Sequence, residues 1–540
     1  MILKSRESPS HVTGLGFIFR LYLRLDRARI LTWAASFFVI IYLSVVALDE
    51  SYPTQAALDA RASLMTNPAV IMMTGPASAL DNYTFGAMLA NELSLWTFLP
   101  AAIMSILLAV RHTRQDEESG RTEILRSLSI GRHAPLIAAF LTTATASLAV
   151  GASVAVALSA AGQEGADSLA FGGATAVTGL VFGAIALNTA QLTEHSRTAT
   201  GMALGTLGLA AVVRGIGDVI EPQGSWVSWL SPIAWAQQMK LFVDLRWWPL
   251  SLSITFIALL LVGAVVLNER RDLGAGVFHS RPGPGQARAP LLNPFGLAGR
   301  MQFGPFAAWT IGLSLFAVAF GSLATELDTF LDDNPQFSEW IPVTSDDLTL
   351  SFAAVILRYL ALGPLILFIT TVLQLVSEER HGRVDALIVT GASRPALLGA
   401  WSAVAATWTV VMILILGSAS GLGLAVASGD TAWIVRMFWA SAAFIPAIVV
   451  SGAVAILIYG IGPQFSPLAW IFMTFVSIET FLGDLLKLPQ WLRNLSPVNQ
   501  TPLVPFDDAH APPLLMMVGL AVTLTAIGTI SFRRRNLTNM

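Results

Sequence analysis

The sequence predicts an all-α polytopic membrane protein of about twelve transmembrane helices, arranged as two parallel six-helix repeats. Three observations carry this. First, 12% of the 540 residues are charged and 54% are hydrophobic, with a mean hydropathy of +0.67, whereas an ordinary soluble protein is about 25% charged. Second, the chain holds a succession of apolar runs, each long enough to cross a bilayer. Third, segments of the first half return in the second at a nearly constant separation. The composition excludes a soluble globular enzyme, a disordered chain and a secreted disulfide scaffold. There is no cysteine, so there are no disulfides or thiolate metal sites. A net charge of −3 argues against a nucleic-acid partner.

A spanning helix needs about 20 mostly apolar residues. In the first half the runs cover 30–48, 93–110, 134–163, 168–193, 198–213 and 247–268. In the second they cover 301–325, 359–377, 395–429, 437–483 and 511–532. The 437–483 run has 47 residues, too many for one helix, and it breaks at the turn signal Gly460-Ile461-Gly462-Pro463. The expected count is therefore twelve.

Orientation follows from the basic residues. With the N-terminus in the cytoplasm, the inner segments are 1–29, 111–133, 194–197, 269–300, 378–394 and 533–540, and they hold 23 of the 31 Lys and Arg. The outer loop 49–92 has Arg61 against Asp49, Glu50, Asp59, Asp81 and Glu92, and the outer loop 326–347 has seven acids and no base. Both termini are therefore expected in the cytoplasm of a bacterial plasma-membrane protein. The first apolar run is of full span length with no convincing cleavage site behind it, which predicts an uncleaved anchor. Just before it, Leu15, Ile18, Phe19 and Tyr22 share one helical face and Arg20, Arg24 and Arg27 another, which predicts an interfacial amphipathic helix within 1–29.

Three segment pairs define the duplication. Asp116–Leu125 matches Glu378–Leu387 at an offset of 262, Leu230-Ser231-Pro232-Ile233 matches Leu495-Ser496-Pro497-Val498 at 265, and Arg270-Arg271-Asp272-Leu273 matches Arg534-Arg535-Asn536-Leu537 at 264. A weaker pair, Arg24 to Trp33 against Arg300 to Trp309, sits at 276. Six spans return the chain to its starting side, so the repeats are parallel. The halves are then 30–273 and 300–540, joined by a cytoplasmic linker, 274–299, that contains Arg281-Pro282-Gly283-Pro284-Gly285.

The strongest motif is acidic-acidic-x-x-Gly-Arg-x-acidic-x-Leu, placed after the second span of each half. Its residues are Asp116, Glu117, Glu118, Gly120, Arg121 and Glu123, and then Glu378, Glu379, Gly382, Arg383 and Asp385. Acids ahead of a short helix suit its positive N-terminal end. Glu117 and Arg121 are four apart, as are Glu379 and Arg383, which permits pairing on one helical face. Ile124, Leu125 and Leu128 offer an apolar face, as do Ala386, Leu387 and Thr390 more weakly. A short amphipathic helix present twice at equivalent positions reads as a docking element for a partner.

On these motifs the chain resembles the fused twelve-span permeases of type-2 ABC exporters, in particular the exporters of polyketide antibiotics of the tetronasin type. The resemblance covers essentially the whole chain and implies the type-2 ABC exporter transmembrane fold. It implies that the two acidic motifs are coupling helices seated on an ATPase, and that 13–29 is the connecting helix. It also implies that two stretches just before each last span are short re-entrant outer helices, carrying Trp229, Ser231, Pro232 and Trp235 in one half and Trp491, Ser496 and Pro497 in the other. One departure is visible: the first half's second inner loop carries Glu194, His195 and Arg197, where the second half has only Gly460–Pro463. The implied partners are two copies of a separately encoded ABC ATPase, which would hold ATP and Mg, and a hydrophobic small-molecule cargo. This chain is expected to carry no cofactor of its own. A P-loop needs Gly-Lys-Ser/Thr, and none of the three lysines, Lys4, Lys240 and Lys487, follows a glycine.

The tryptophans Trp226, Trp229, Trp235, Trp247 and Trp248 read as an interfacial aromatic belt. Loop 49–92, with Met65, Met72, Met73 and Met88, reads as semi-apolar and helical in part. Arg358 and Arg436 fall near expected outer ends, where snorkelling is cheap. No carboxylate is expected at mid-span as a proton relay would require, and small-residue stretches such as 144–160 and 403–428 suit close helix packing. Two alternatives stand beside the export permease. One is a proton-coupled twelve-span drug transporter, whose class places an Asp-Arg-x-Gly-Arg-type signature after spans two and eight; here the upstream Gly and the following basic pair are missing. The other is a non-transporting membrane scaffold.

Overall fold

Uninterrupted apolar sequence becomes uninterrupted helix. The structure, a computed structural model, describes residues 11–65, 68–221, 223–278, 285–286, 288–323, 348–482, 489–505 and 511–536. Helix makes up 81% of it, with no strand among the described residues, and eleven helices are long and apolar enough to cross a membrane. This is a polytopic membrane protein. It divides into two compact units, Met1–Gly283 and Pro284–Met540.

In unit 1, α1 runs Leu15–Ser51 without a break. The stretch expected to lie apart as an interfacial helix forms its first turns instead. Between Phe17 and Ser51 there is no Gly or Pro to end a helix. A continuous stripe, Ile18, Tyr22, Asp26, Ile30, Phe37, Ile41 and Val45, is buried along one side. At 1.5 Å per residue the 37 residues of α1 reach about 55 Å, against about 30 Å of hydrocarbon. The following loop is helical in part, as expected, with α2 (Gln55–Leu64) and α3 (Pro68–Thr74). Helix α4 (Phe85–Glu118) contains a π-helical stretch, Arg111–Gln115, and leads to the short α5 (Arg121–Arg126). Then come α6 (Ala134–Ala160), α7 (Gly165–Leu192), α8 (Ser196–Ile220), the short α9 (Pro232–Gln237) and α10 (Pro249–Arg270). Helices α6 and α7 touch at Gly151 and Gly172, where a Cβ on either would run into the other's carbonyl oxygen; this is the close approach that small residues permit.

Unit 2 contains α11 (Pro294–Leu323), α12 (Leu348–Leu360), α13 (Leu362–Arg380), the short α14 (Arg383–Val389), α15 (Arg394–Ser428), α16 (Ala432–Ala442), α17 (Ile445–Ile461), α18 (Ser466–Leu482), the short α19 (Gln490–Arg493) and α20 (Ala511–Arg534). Helices α12–α13 form one span, as do α16–α17. The chain turns at Gly462–Phe465, as the Gly-Ile-Gly-Pro signal predicts. The twelfth expected span is α18, whose 17 described residues are fewer than in any of the other eleven, the shortest of which has 22. In each unit the first span packs on the third and the fourth on the sixth. The acidic loop 326–347 and Arg281–Pro284 of the linker lie outside the described residues.

Candidate functional site

The repeated motif sits where α4 ends in unit 1 and where α13 ends in unit 2. Asp116, Glu117 and Glu118 form the last turn of α4, and the chain then reverses helical sense for one residue. Gly120 has φ +72° and its counterpart Gly382 has φ +70°. A Cβ on either would meet nothing within 4 Å, so glycine is required there for its backbone conformation and not for space. Each starts a short helix, α5 or α14.

Because of this break the permitted i,i+4 pairing does not form. Spacing rules for one helix face do not cross a left-handed residue, so Arg121 and Arg383 reach back five positions. Arg121 Nη1 donates to Asp116 Oδ1 at 3.1 Å, and Arg383 Nη2 donates to Glu378 Oε1 at 3.0 Å. Its hydrogen bonds to the Glu378 carboxylate hold the Arg383 guanidinium pKa above its ordinary value.

Glu117 and Glu379 are thereby left for another partner, and it is the same one in both units. Arg271 donates to Glu117 through Nη2–Oε1 at 2.5 Å and Nη1–Oε2 at 2.8 Å. Arg535 donates to Glu379 through Nη1–Oε1 and Nη2–Oε2, both 2.6 Å. Two of the three sequence repeats are thus the two sides of one bidentate contact, made once in each unit between the end of the second span and the end of the sixth. Planar two-bond pairing of this kind is the strongest form of ion pair. Burial works to lower Arg535, but the adjoining Glu379 carboxylate outweighs it and holds the guanidinium above its usual range.

The surroundings differ. In unit 1, Arg114 Nη1 also donates to Glu117 at 2.8 Å and anchors the Ala190 carbonyl through Nη2 at 2.7 Å, while Gln191 accepts from Arg271 Nε at 2.6 Å. In unit 2, the Tyr459 hydroxyl donates to Glu379 at 2.9 Å, and Arg535 lies over the rings of Tyr459 and Phe532. Glu118 accepts from the backbone N–H of Ser196 at 2.8 Å and from its hydroxyl, at the first turn of α8. The corresponding position in unit 2 is Arg380, exposed. Beneath the unit 1 motif, buried His112 meets Asp26 and lies 3.5 Å from Asp116, with Tyr22 stacked on its ring. Sequence reasoning passed over this cluster because its members come from α1 and α4.

Glu123 is exposed and Asp385 half-buried. At the tips, Ile124 is 70% exposed, Leu128 53% and Val389 86%. Among the described residues no group of three or more His, Asp or Glu gathers as a metal site. The arrangement is a clasp holding an apolar tip.

The sequence profile described as "Multidrug efflux system permease Rv1217c, C-terminal domain" matches residues 291–533. The multidrug efflux system permease protein Rv1217c of Mycobacterium tuberculosis is 34% identical over 533 residues, which cover 98% of this chain and 96% of that protein. The chain belongs to the multidrug efflux permease family.

The Leu-Ser-Pro elements differ between units. In unit 1, the Ser231 hydroxyl caps α9 by accepting from Ile233 N at 3.3 Å, and Pro232 occupies its first turn. Trp235 Nε1 donates to the Trp229 carbonyl at 2.7 Å, and Trp229 stacks on Trp248. In unit 2, Ser496 and Pro497 are buried in a turn that starts no helix within 497–505, and Trp491 is 68% exposed. Charge within the spans is richer than expected. Helix α8 extends past residue 213 because Arg214 is paired inside it: its Nη1 lies 3.2 Å from Asp218, both are buried, and Ser228 donates to Asp218 at 2.6 Å. In α18, buried Glu479 lies 3.3 Å from Arg358 and 3.6 Å from Arg493. Positions 214 and 479 are 265 apart, the offset of the Leu-Ser-Pro elements, and that shared offset was the available signal.

Proposed function

We propose that this efflux permease is the membrane subunit of an ATP-driven exporter of hydrophobic or amphipathic small molecules, antibiotics among them, driven by a separately encoded ATPase pair that holds ATP and Mg. The observation that carries the reading is the clasped tip built twice: an apolar side chain held out on a short helix, anchored by the same Glu–Arg pair to the end of the sixth span. A partner that moved the two tips would act on spans two and six of each half together. The chain itself has no Gly-Lys-Ser/Thr sequence. The tips face the cytoplasm of a bacterial cell in this reading, and the resemblance to type-2 ABC permeases supports it.

The test is co-expression with a candidate P-loop ATPase from the same genome, followed by co-purification and drug-stimulated ATP hydrolysis. The double variant Ile124→Asp/Val389→Asp should melt like the parent, since both side chains are exposed, but lose the ATPase. Efflux that persists without any ATPase and collapses with the proton gradient would refute the reading and select a proton-coupled transporter.

A further inference from the structure

Helix α1 has two sides of opposite character. Ile18, Tyr22, Asp26 and Ile30 are buried against unit 1, and this fixes where the other side points. Arg20, Arg24 and Arg27 lie on that other side, all exposed. The same spacing of three and four continues into the apolar part of the helix with Leu31, Ala35 and Phe38. At 3.6 residues per turn the six positions fall within about 80° of arc. Leu31 is 68% exposed, so the apolar end of the stripe is open as well.

The stripe carries three positive charges without a counter-ion. Arg20 and Arg24 are four apart and Arg24 and Arg27 three apart, spacings at which like charges on a helix repel. Asp26, the acid nearest to them in the sequence, sits on the buried side, where Arg29, Arg111 and His112 engage it. Among the described residues no ion pair or hydrogen bond engages the side chains of Arg20, Arg24 or Arg27.

Their depth points to the missing anion. The charge-free run of α1 begins at Ile30. Arg27 stands about 4.5 Å before it along the helix and Arg24 about 9 Å, and the headgroup layer is about 5–7 Å deep. Long basic side chains extend into that layer from a helix end. Arg20, about 15 Å before Ile30, adds to the same positive field.

We propose that the Arg20, Arg24 and Arg27 face of α1 binds an anionic phospholipid, its phosphate held by the guanidinium groups and one acyl chain lying along Leu31, Ala35 and Phe38. Guanidinium and phosphate match in geometry for paired hydrogen bonds. The site needs no ATPase, so its failure and that of ATP coupling are separable.

The chain has no cysteine, so a single label can be placed at will. Thr32→Cys is exposed on the flank of the stripe, two residues inside the apolar run 30–48. Val266→Cys is exposed on α10, two residues inside the matching end of the run 247–268, and serves as the control. Each full-length chain carries one bimane and is reconstituted in mixed bilayers of phosphatidylglycerol and phosphatidylcholine. Only one of the two lipids bears a nitroxide on its acyl chain, and quenching gives their relative affinities. Each arginine near an anionic headgroup strengthens attraction about fivefold. Phosphatidylglycerol should therefore be preferred about tenfold or more at Thr32→Cys, and within about twofold at Val266→Cys. Arg20→Gln/Arg24→Gln/Arg27→Gln should bring the Thr32→Cys preference to about twofold, whereas the triple Lys variant should stay within about threefold of the parent. Inorganic phosphate at constant ionic strength should leave the preference unchanged. No preference at Thr32→Cys, an equal preference at both labels, or an unaffected Gln variant would each overturn the proposal. Loss of the preference to inorganic phosphate would overturn it too, in favour of a free-anion site. If the Gln variant does not fold, the comparison of the two labels on the arginine-bearing chain decides alone.

Discussion

Neutralising Glu117 while leaving its shape, as Glu117→Gln, strikes the unit 1 clasp at its centre. The pair it breaks is shielded, with Glu117 8% and Arg271 3% exposed. Exposed ion pairs contribute about 0–1 kcal/mol, whereas removing one partner of a buried pair costs about 3–5 kcal/mol. Arg271 keeps its bond to Gln191 at 2.6 Å and to the Ala275 carbonyl at 3.1 Å, so the guanidinium is not left bare. The expected loss is therefore at the lower end, about 3 kcal/mol. Arg271→Gln should cost a similar amount, and the double variant should lose well under the sum. The cycle should yield a coupling of about 1.5–3 kcal/mol. Unfolding in mixed micelles, followed by tryptophan fluorescence, is the assay. The same cycle on Glu379 and Arg535 should give a coupling of like size, because its two bonds are both 2.6 Å. Couplings below about 0.5 kcal/mol in both units, the scatter expected of independent sites, would refute the clasp.

Gly120→Ala and Gly382→Ala should each cost about 1–2 kcal/mol, the penalty of a left-handed residue with a Cβ; a thermal-melt loss far above that would show a steric role the open space does not explain. Asp218→Asn leaves Arg214 buried beside a neutral amide and should lower stability by about 3 kcal/mol or more, and the apolar pair Arg214→Met/Asp218→Leu should recover most of it in the same melt. Glu118→Gln weakens the anchor at the start of α8 and should cost about 1 kcal/mol, seen as faster hydrogen exchange in its first turn. Arg380→Ala at the matching place in unit 2 should change stability by less than about 0.5 kcal/mol.

Long apolar runs were legible because their length and composition decide helix formation in a bilayer without reference to neighbours. Boundaries were less so. Arg214 ended the fifth run on paper at 213, yet α8 continues to Ile220, because Asp218 and the Met72 carbonyl pair with the guanidinium inside the fold. Arg20, Arg24 and Arg27 made the start of the chain look like a separate surface helix, when the stripe from Ile18 to Val45 keeps it in one piece with the first span. At the motif, the residues were legible and their pairing was not. Gly120 was read as part of a pattern, but its positive φ shifts every partner by one position. Arg271 stood in plain view in another repeat, and no local spacing rule connects it with Glu117 across 154 residues. His112 and Asp26 joined for the same reason: only the packing of α1 on the rest of the unit brings them together.

That long separation has a consequence for how the protein is made. Glu117 meets Arg271 across 154 residues, and Glu379 meets Arg535 across 156. At about 5–20 residues per second, synthesis reaches the arginine roughly 8–30 s after the glutamate. Throughout that interval the carboxylate waits without its main counter-ion, and the pair closes only when the sixth span of the half has arrived. Each half thus carries a mark of its own completion, and a nascent chain arrested before Arg271 should leave Glu117 open to a carbodiimide that the finished protein excludes.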